Sequence, residues 1–287
     1  MQVYLNGSFV PHDRASVNVF DRGFIFGDGL YEGIRAYGGH IRSLDRHIRR
    51  LSNGLAEIRL QWDAQQLATI LPELLIRNGM QDAFIYVQVT RGVPAPGRGV
   101  RTRVPDGPIT PTVMAYCTPA PTLTECLNPP AKTAMTLEDF RWHKGHIKSI
   151  SLMGNVMAAM TAADEGWDDA IFVRDGLVGE ATSTNLVACV NGQLVTPSLD
   201  SVSILGGITR ELQLDGDMGV ISRPMTVAEL RGAEEVMIVG TLTTVAGVVK
   251  IDGRPVGAGV IGPRTKKLAA DLVAHIRAEY AATGCCV

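Results

Sequence analysis

Apolar positions along this chain recur with two distinct periods. Leu44, Ile48, Leu51, Leu55 and Ile58 follow one another at spacings of four, three, four and three, which puts them all on one face of an α-helix. Ser43 stands where a helix N-cap belongs. A second helix is predicted from Ala64 to Arg77, closed by Asn78-Gly79. The opening stretch MQVYLNGSFV instead alternates around an Asn-Gly pair, the pattern of a β-hairpin. AFIYVQVTRG and PTVMAYC are β-branched and aromatic runs that predict two more strands. Between them, VPAPGRGVRTRVPDGPITP is too rich in Pro and Gly for either element. Connections of that length inside compact domains tend to carry function.

In the second half, DAIFVRDG, NLVACVNGQLV and EEVMIVG predict strands of another sheet, and PRTKKLAADLVAHIRAEYAATG predicts a closing helix. TPAPTLTECLNPPAK lacks periodicity and reads as the passage between two domains. The expected organisation is a small N-terminal α/β domain over residues 1–117, a linker over 118–131 and a larger domain over 132–287. Mixed helices and strands make this an α/β or α+β protein.

Composition narrows the field. Lys plus Arg number 27 against 29 Asp plus Glu, and the basic residues are scattered, so no nucleic-acid surface is expected. No apolar run reaches the roughly 18 residues of a membrane helix. The N-terminus shows no signal-peptide core, so the cytosol is the expected compartment. Five cysteines, an odd number without Cys-x-x-Cys spacing, argue against zinc or a disulfide framework.

Candidate chemistry gathers in three segments. In HIKSISLMGNVM, Lys148 sits in an apolar run that reads as the start of a buried helix, an expensive place for an ammonium. A lone lysine there could be snorkelling to water; it could also be an amine nucleophile. In VGEATSTN, Glu180 precedes small hydroxyl residues; a fixed carboxylate can hold a proton on a heterocyclic nitrogen. In LGGITRE, two glycines and Thr209 before a predicted helix make a phosphate cradle. Pyridoxal phosphate needs an amine, a ring-nitrogen partner and a phosphate grip together.

DRGFIFGDGLYEGIRAY, HIRRL, HIKSISLMGN, GEATSTN and LGGITR also stand in an order and spacing that resemble class IV, or fold type IV, pyridoxal-phosphate aminotransferases. The resemblance spans nearly the whole chain. It implies a homodimer whose subunits have a small N-terminal α/β domain and a larger C-terminal pseudo-barrel domain, with the cofactor in the cleft between them. It further implies that Lys148 is the Schiff-base lysine and Glu180 the partner of the pyridine nitrogen. Arg50 would bind the phosphate with the Ile208-Thr209 backbone and Thr241, and Asn185 and Leu205 of the same motifs would complete the cofactor set. Substrates would be an amino acid and a 2-oxo acid.

YVQVTRG with Gln88, and EDFRWHKGHIKSISLMGN with Leu152, look closest to the D-amino acid transaminases. In those enzymes the loop after TRG presents an Arg-x-His pair to the substrate α-carboxylate, with a tyrosine matching Tyr31 nearby. Here the loop is longer and lacks the histidine; Arg101 and Arg103 match best, with Arg98 in reserve, and a guanidinium fork suits a carboxylate. GLYEGIRAY is shared with branched-chain L-amino acid transaminases, and Leu242 stands where the D-amino acid group has a hydroxyl. Branched-chain L-amino acid transamination is therefore the alternative, followed by an R-selective amine transaminase.

Overall fold

The computed structural model describes residues 1–97, 99–105 and 107–282. The chain groups into two compact units: Met1–Pro121 with Ile147–Leu152, and Thr122–His146 with the chain from Met153 on.

In the first unit, β1 (Gln2–Leu5) and β2 (Ser8–Pro11) form the expected hairpin. Its turn needs left-handed backbone, and Asn6 and Gly7 supply it with φ of 48° and 92°. A short helix α1 (Arg22–Phe26) leads into β3 (Gly29–Tyr37) and β4 (His40–Ile41). Then come α2 (Leu44–Glu57) and α3 (Leu67–Asn78), followed by β5 (Ala83–Thr90) and β6 (Thr112–Pro119). The six strands are ordered β2-β1-β6-β5-β3-β4.

The predicted face of α2 does become its core face: Ile48, Leu51 and Leu55 are each 2% exposed, a burial of about 2 kcal/mol per side chain. They pack with Leu30, Ile34 and Ala36 of β3 in one apolar cluster. The second helix also closes as expected, on Gly79 in left-handed conformation. Ser43 differs: it occupies the N-cap position, but its φ of 50° is left-handed and its side chain makes no cap bond. Side-chain caps reach the first turn from extended backbone. Between Thr90 and Thr112 no helix or strand forms among the described residues.

The second unit carries β7 (Ala131–Glu138), α4 (Met153–Asp164), β8 (Asp169–Arg174), β9 (Leu177–Ala181), β10 (Asn185–Val190) and β11 (Gln193–Thr196). After these come α5 (Ile208–Asp215), β12 (Val220–Ser222), α6 (Val227–Arg231), β13 (Glu235–Gly240), β14 (Thr244–Ile251), β15 (Arg254–Pro255) and α7 (Pro263–Ala282). Its sheet runs β12-β11-β10-β13-β14-β7-β8-β9, with β15 on β14. β7 is parallel to both its neighbours, and β10 is buried along its whole length, as strands covered on both faces must be.

Among the described residues no helix is long and apolar enough to cross a membrane. No group of three or more His, Cys, Asp or Glu gathers there as a metal would require.

Candidate active site

Lys148 is not on a helix. Residues 147–152 run irregularly, α4 begins only at Met153, and its Met153, Val156, Met157 and Met160 are exposed rather than buried. The first part of the apolar run, residues 147–152, is instead a short strip laid along β3, and only its second part starts α4. β4 covers only the far end of β3, at Ala36 and Tyr37, which leaves the Gly29–Tyr31 edge needing partners. Lys148 O accepts from Tyr31 N at 3.1 Å and Ile150 N donates to Gly29 O at 3.1 Å, with Ser149 bridged to Leu30. Backbone pairing thus fixes the lysine on both sides.

The side chain of Lys148 is half-buried, its Nζ 4.1 Å from the centroid of the Tyr31 ring. Tyr31 begins a column of stacked rings, 5.6 Å to Tyr86 and from there 5.2 Å to Tyr116. Gln88 lies across the ladder from Tyr31 and accepts the Tyr86 hydroxyl at 2.9 Å. Burial first, and then the neighbouring Tyr31 and Tyr116, push the Tyr86 phenol above its usual range. Tyr86 therefore stays a neutral hydrogen-bond donor at any working pH.

Strand alternation sends Glu32 to the other face of β3, against α2. There it is wholly buried and grips Arg50 twice, accepting from Nε at 2.8 Å and Nη2 at 2.6 Å. His47, one turn earlier on α2, donates to the same carboxylate through Nδ1 at 2.7 Å, the tautomer an ionised acceptor requires. Burial alone would raise the Glu32 pKa, but the Arg50 charge, its hydrogen bonds and His47 outweigh it and lower the value to about 2. Burial dominates for His47 and holds its pKa below the usual imidazole range despite Glu32. The result is an anion, a cation and a neutral ring in one bonded set.

In the second unit, Glu180 is the next-to-last residue of β9 and is 7% exposed. It accepts from Arg141 Nη1 at 2.9 Å, from Leu205 N at 3.1 Å and from Asn185 Nδ2 at 3.3 Å. Asn185 also donates to Leu205 O at 2.8 Å. Arg141 grips Asp139 with Nε at 2.9 Å and Nη2 at 3.1 Å, and its guanidinium lies 3.8 Å from the Phe172 ring centroid. Burial would lower the Arg141 pKa, but Asp139 and Glu180 outweigh it and raise it, so Arg141 stays a cation.

The chain then turns into α5 at Gly207. A Cβ there would collide with Asn185 Oδ1, so only glycine lets the turn pass this close. No side chain caps α5, and its start, Ile208-Thr209, is buried; an uncapped helix start of this kind suits a phosphate. Asn185 pairs with Val239, which brings Thr241, in the turn after β13, to the same end of the sheet as Asn185. The donor set therefore fits a phosphorylated heterocycle: N–H groups and hydroxyls at a helix start, and a carboxylate one hydrogen-bonded step away.

The loop arginines have a different setting. Arg101 and Arg103 are exposed; Arg101 lies 5.4 Å from the Phe26 ring centroid and Arg103 is held by its carbonyl. Arg98 lies outside the described residues.

Sequence reasoning passed over Glu32, His47 and Arg141. Glu32 could have been found as a carboxylate at a core position in the alternation Leu30, Glu32, Ile34, Ala36. Arg141, two residues after Asp139, could have been found as the basic member of an acid-base pair beside the lysine motif.

Known proteins share this chain's sequence and fold. Residues 29–251 match the family model described as Amino-transferase class IV. A protein of Bacillus licheniformis called D-alanine aminotransferase is 37% identical over 295 residues, covering 99% of this chain and all of that one. Among solved structures, a branched-chain aminotransferase of Thermoproteus uzoniensis with norvaline aligns with TM-score 0.82 at 29% identity, over 95% of this chain and 93% of that one. A T.th. branched-chain amino acid aminotransferase with pyridoxamine 5'-phosphate aligns with TM-score 0.84 at 26% identity, over 98% of this chain and 96% of that one.

Proposed function

Since the chain belongs to the class IV aminotransferases, we propose that it moves an amino group between a D-amino acid, such as D-alanine, and a 2-oxo acid such as pyruvate or 2-oxoglutarate. The observation that carries the substrate class is full-length similarity to the Bacillus licheniformis D-alanine aminotransferase. The cofactor is pyridoxal 5'-phosphate, which when bound supplies an electron sink that acidifies the substrate's α-carbon.

Lys148 would hold that cofactor through its ε-amine and would act as the base at the substrate's α-carbon. Its Nζ takes the α-proton and redelivers it, held in place by its backbone bonds to β3 and by the Tyr31 ring. Glu180 would hold a proton at the ring nitrogen, and Arg141, Asn185 and the Leu205 N–H keep its carboxylate in place. Arg50, oriented by Glu32, together with the start of α5 and Thr241, takes the phosphate. Arg101 and Arg103, with Arg98 in reserve, take the substrate α-carboxylate, and Tyr31 lines the substrate side of Lys148.

A second copy of the chain belongs to this reading. It is supported by apolar residues left uncovered on α4, where Met153 is 70% and Met160 60% exposed. Light scattering that finds only a monomer would remove this part.

The branched-chain L-amino acid reading stands second, favoured by the solved neighbours with norvaline and pyridoxamine 5'-phosphate. The half-reaction decides: enzyme mixed with D-alanine or L-leucine, followed by the cofactor's visible absorbance. D-alanine should bleach the band; a response to L-leucine alone would overturn the preferred reading. Borohydride trapping and peptide mapping test the anchor, with the tag expected on Lys148 and lost in Lys148→Ala. A tag elsewhere defeats the assignment.

A further inference from the structure

One side chain ties the arginine loop to the start of β3. Arg22, on α1, is only 3% exposed and every part of its guanidinium is engaged. Nε donates to Asp28 Oδ2 at 2.8 Å, Nη1 to Thr102 O at 2.6 Å and Nη2 to Arg103 O at 3.0 Å.

Asp28 is itself anchored from the other side. Arg91, where β5 passes into the loop, donates to Oδ2 at 2.8 Å and Oδ1 at 3.0 Å. Its remaining bonds go to Ile58 O at 2.8 Å and Arg59 O at 3.0 Å, past the end of α2. Burial would raise the Asp28 pKa, but the hydrogen bonds and charges of Arg91 and Arg22 outweigh it, and the carboxylate stays ionised. Packing repeats the connection: Arg22 lies 4.8 Å and Arg101 5.4 Å from the centroid of the same Phe26 ring.

A loop this rich in Gly and Pro has no ladder to fix its shape, so its few anchored carbonyls decide where its side chains stand. Only a planar fork can meet a carboxylate and two carbonyls at once; a lysine ammonium cannot span them. Asp28 also precedes Gly29, the residue that receives the Lys148 strip. The loop arginines and the lysine are therefore referenced to one short stretch of β3.

We propose that Arg22 is a positioning residue for substrate selection: by holding the carbonyls of Thr102 and Arg103 it sets where Arg101 and Arg103 stand, and so the enzyme's preference for amines that bear a carboxylate. The proposal rests on the reading of those arginines as the carboxylate clamp.

Arg22→Lys tests it in the loaded enzyme. Trypsin must draw the Arg103 carbonyl into its own site, so nicking within residues 99–105 should become about tenfold faster or more. The Michaelis constant for the better of D-alanine and L-leucine should rise about tenfold with kcat changed less than about threefold, while that for 1-phenylethylamine, which lacks a carboxylate, stays put. Unchanged nicking overturns the clasp; faster nicking with an unmoved Michaelis constant overturns its role in selection. An Arg101→Ala/Arg103→Ala variant separates the two levels. If it leaves the amino acid constant unmoved, the clamp reading has failed; if it raises the constant and Arg22→Lys does not, only the present proposal has. Should Arg22→Lys not fold, Asp28→Asn loosens the same clasp, and the same two readouts must move in the same direction.

Discussion

Each unit holds a carboxylate gripped by an arginine, and the two pairs are made the opposite way round. In the first, the Glu32 side chain is fully buried while Arg50 keeps 15% of its side-chain surface. The acid is the hidden partner, and the base is what it holds out. In the second, Arg141 and Glu180 are exposed almost equally, at 8% and 9%, and Arg141 is committed on its far side to Asp139. There the base is the support and the acid is what it holds in place. The same ion pair can thus present either sign, and what decides is which member has further partners behind it. Glu32 has His47 behind it; Arg141 has Asp139.

The strongest way to break this comparison is to neutralise each acid. Glu180→Gln should lower kcat by about 10³-fold at saturating cofactor, because the ring-nitrogen proton loses its acceptor. Glu32→Gln should act first on cofactor affinity, and lower kcat by less than about tenfold once cofactor saturates. Equal kcat losses in the two variants would show that the acids do the same job.

Stability should separate them next. Removing the charge of Glu32 leaves Arg50 partly buried without its counter-charge, a loss of about 3 kcal/mol in chemical denaturation. Glu180→Gln should cost less, since Asp139 still pairs with Arg141.

Acid titration sharpens the point. Glu32 falls from 4.5 to about 2 in the folded chain, which at 1.36 kcal/mol per pH unit is a contribution of about 3 kcal/mol. A depressed acid stabilises fully above its unfolded value, and the contribution drains as pH drops from 4.5 towards 2. His47, also depressed, acts in the same direction: the unfolded chain takes up its proton below 6.5 before the folded one does. Melting temperature should therefore decline with acidification in two overlapping stages, and Glu32→Gln should flatten the lower one. An unaltered slope below pH 4.5 would contradict the assignment.

The smallest effect is expected from Arg141→Lys, which keeps the charge but loses the fork to Asp139 and Glu180. The pH midpoint of the bound cofactor's absorbance should move by less than about one unit, with kcat down about threefold.

How much of this can be read from the sequence depends on how local the cause is. The hairpin at Asn6-Gly7 and the apolar face of α2 follow from short-range rules, and both are found where expected. The motif content of the lysine, glutamate and Gly-Gly segments is equally local. The setting of Lys148 escapes such rules because Ile147, Ile150 and Leu152 are apolar for a non-local reason, their strip lying along the open edge of β3. Ser43 fails as a cap because its backbone is left-handed, which no side-chain preference announces. Glu32 and Arg141 are legible in principle but acquire meaning only with their partners: Glu32 pairs with a residue 18 positions away and Arg141 with one 39 away.

The six residues Ile147–Leu152 keep company with the first unit although the chain on both sides of them does not. A gene cut at Pro121 would therefore yield an amino-terminal fragment without the amine at position 148, and a carboxy-terminal one whose lysine has lost the strand it lies along. Neither half could be grafted as a module. Recombination between relatives should be least harmful where crossovers leave residues 29–31 and 148–150 from the same parent.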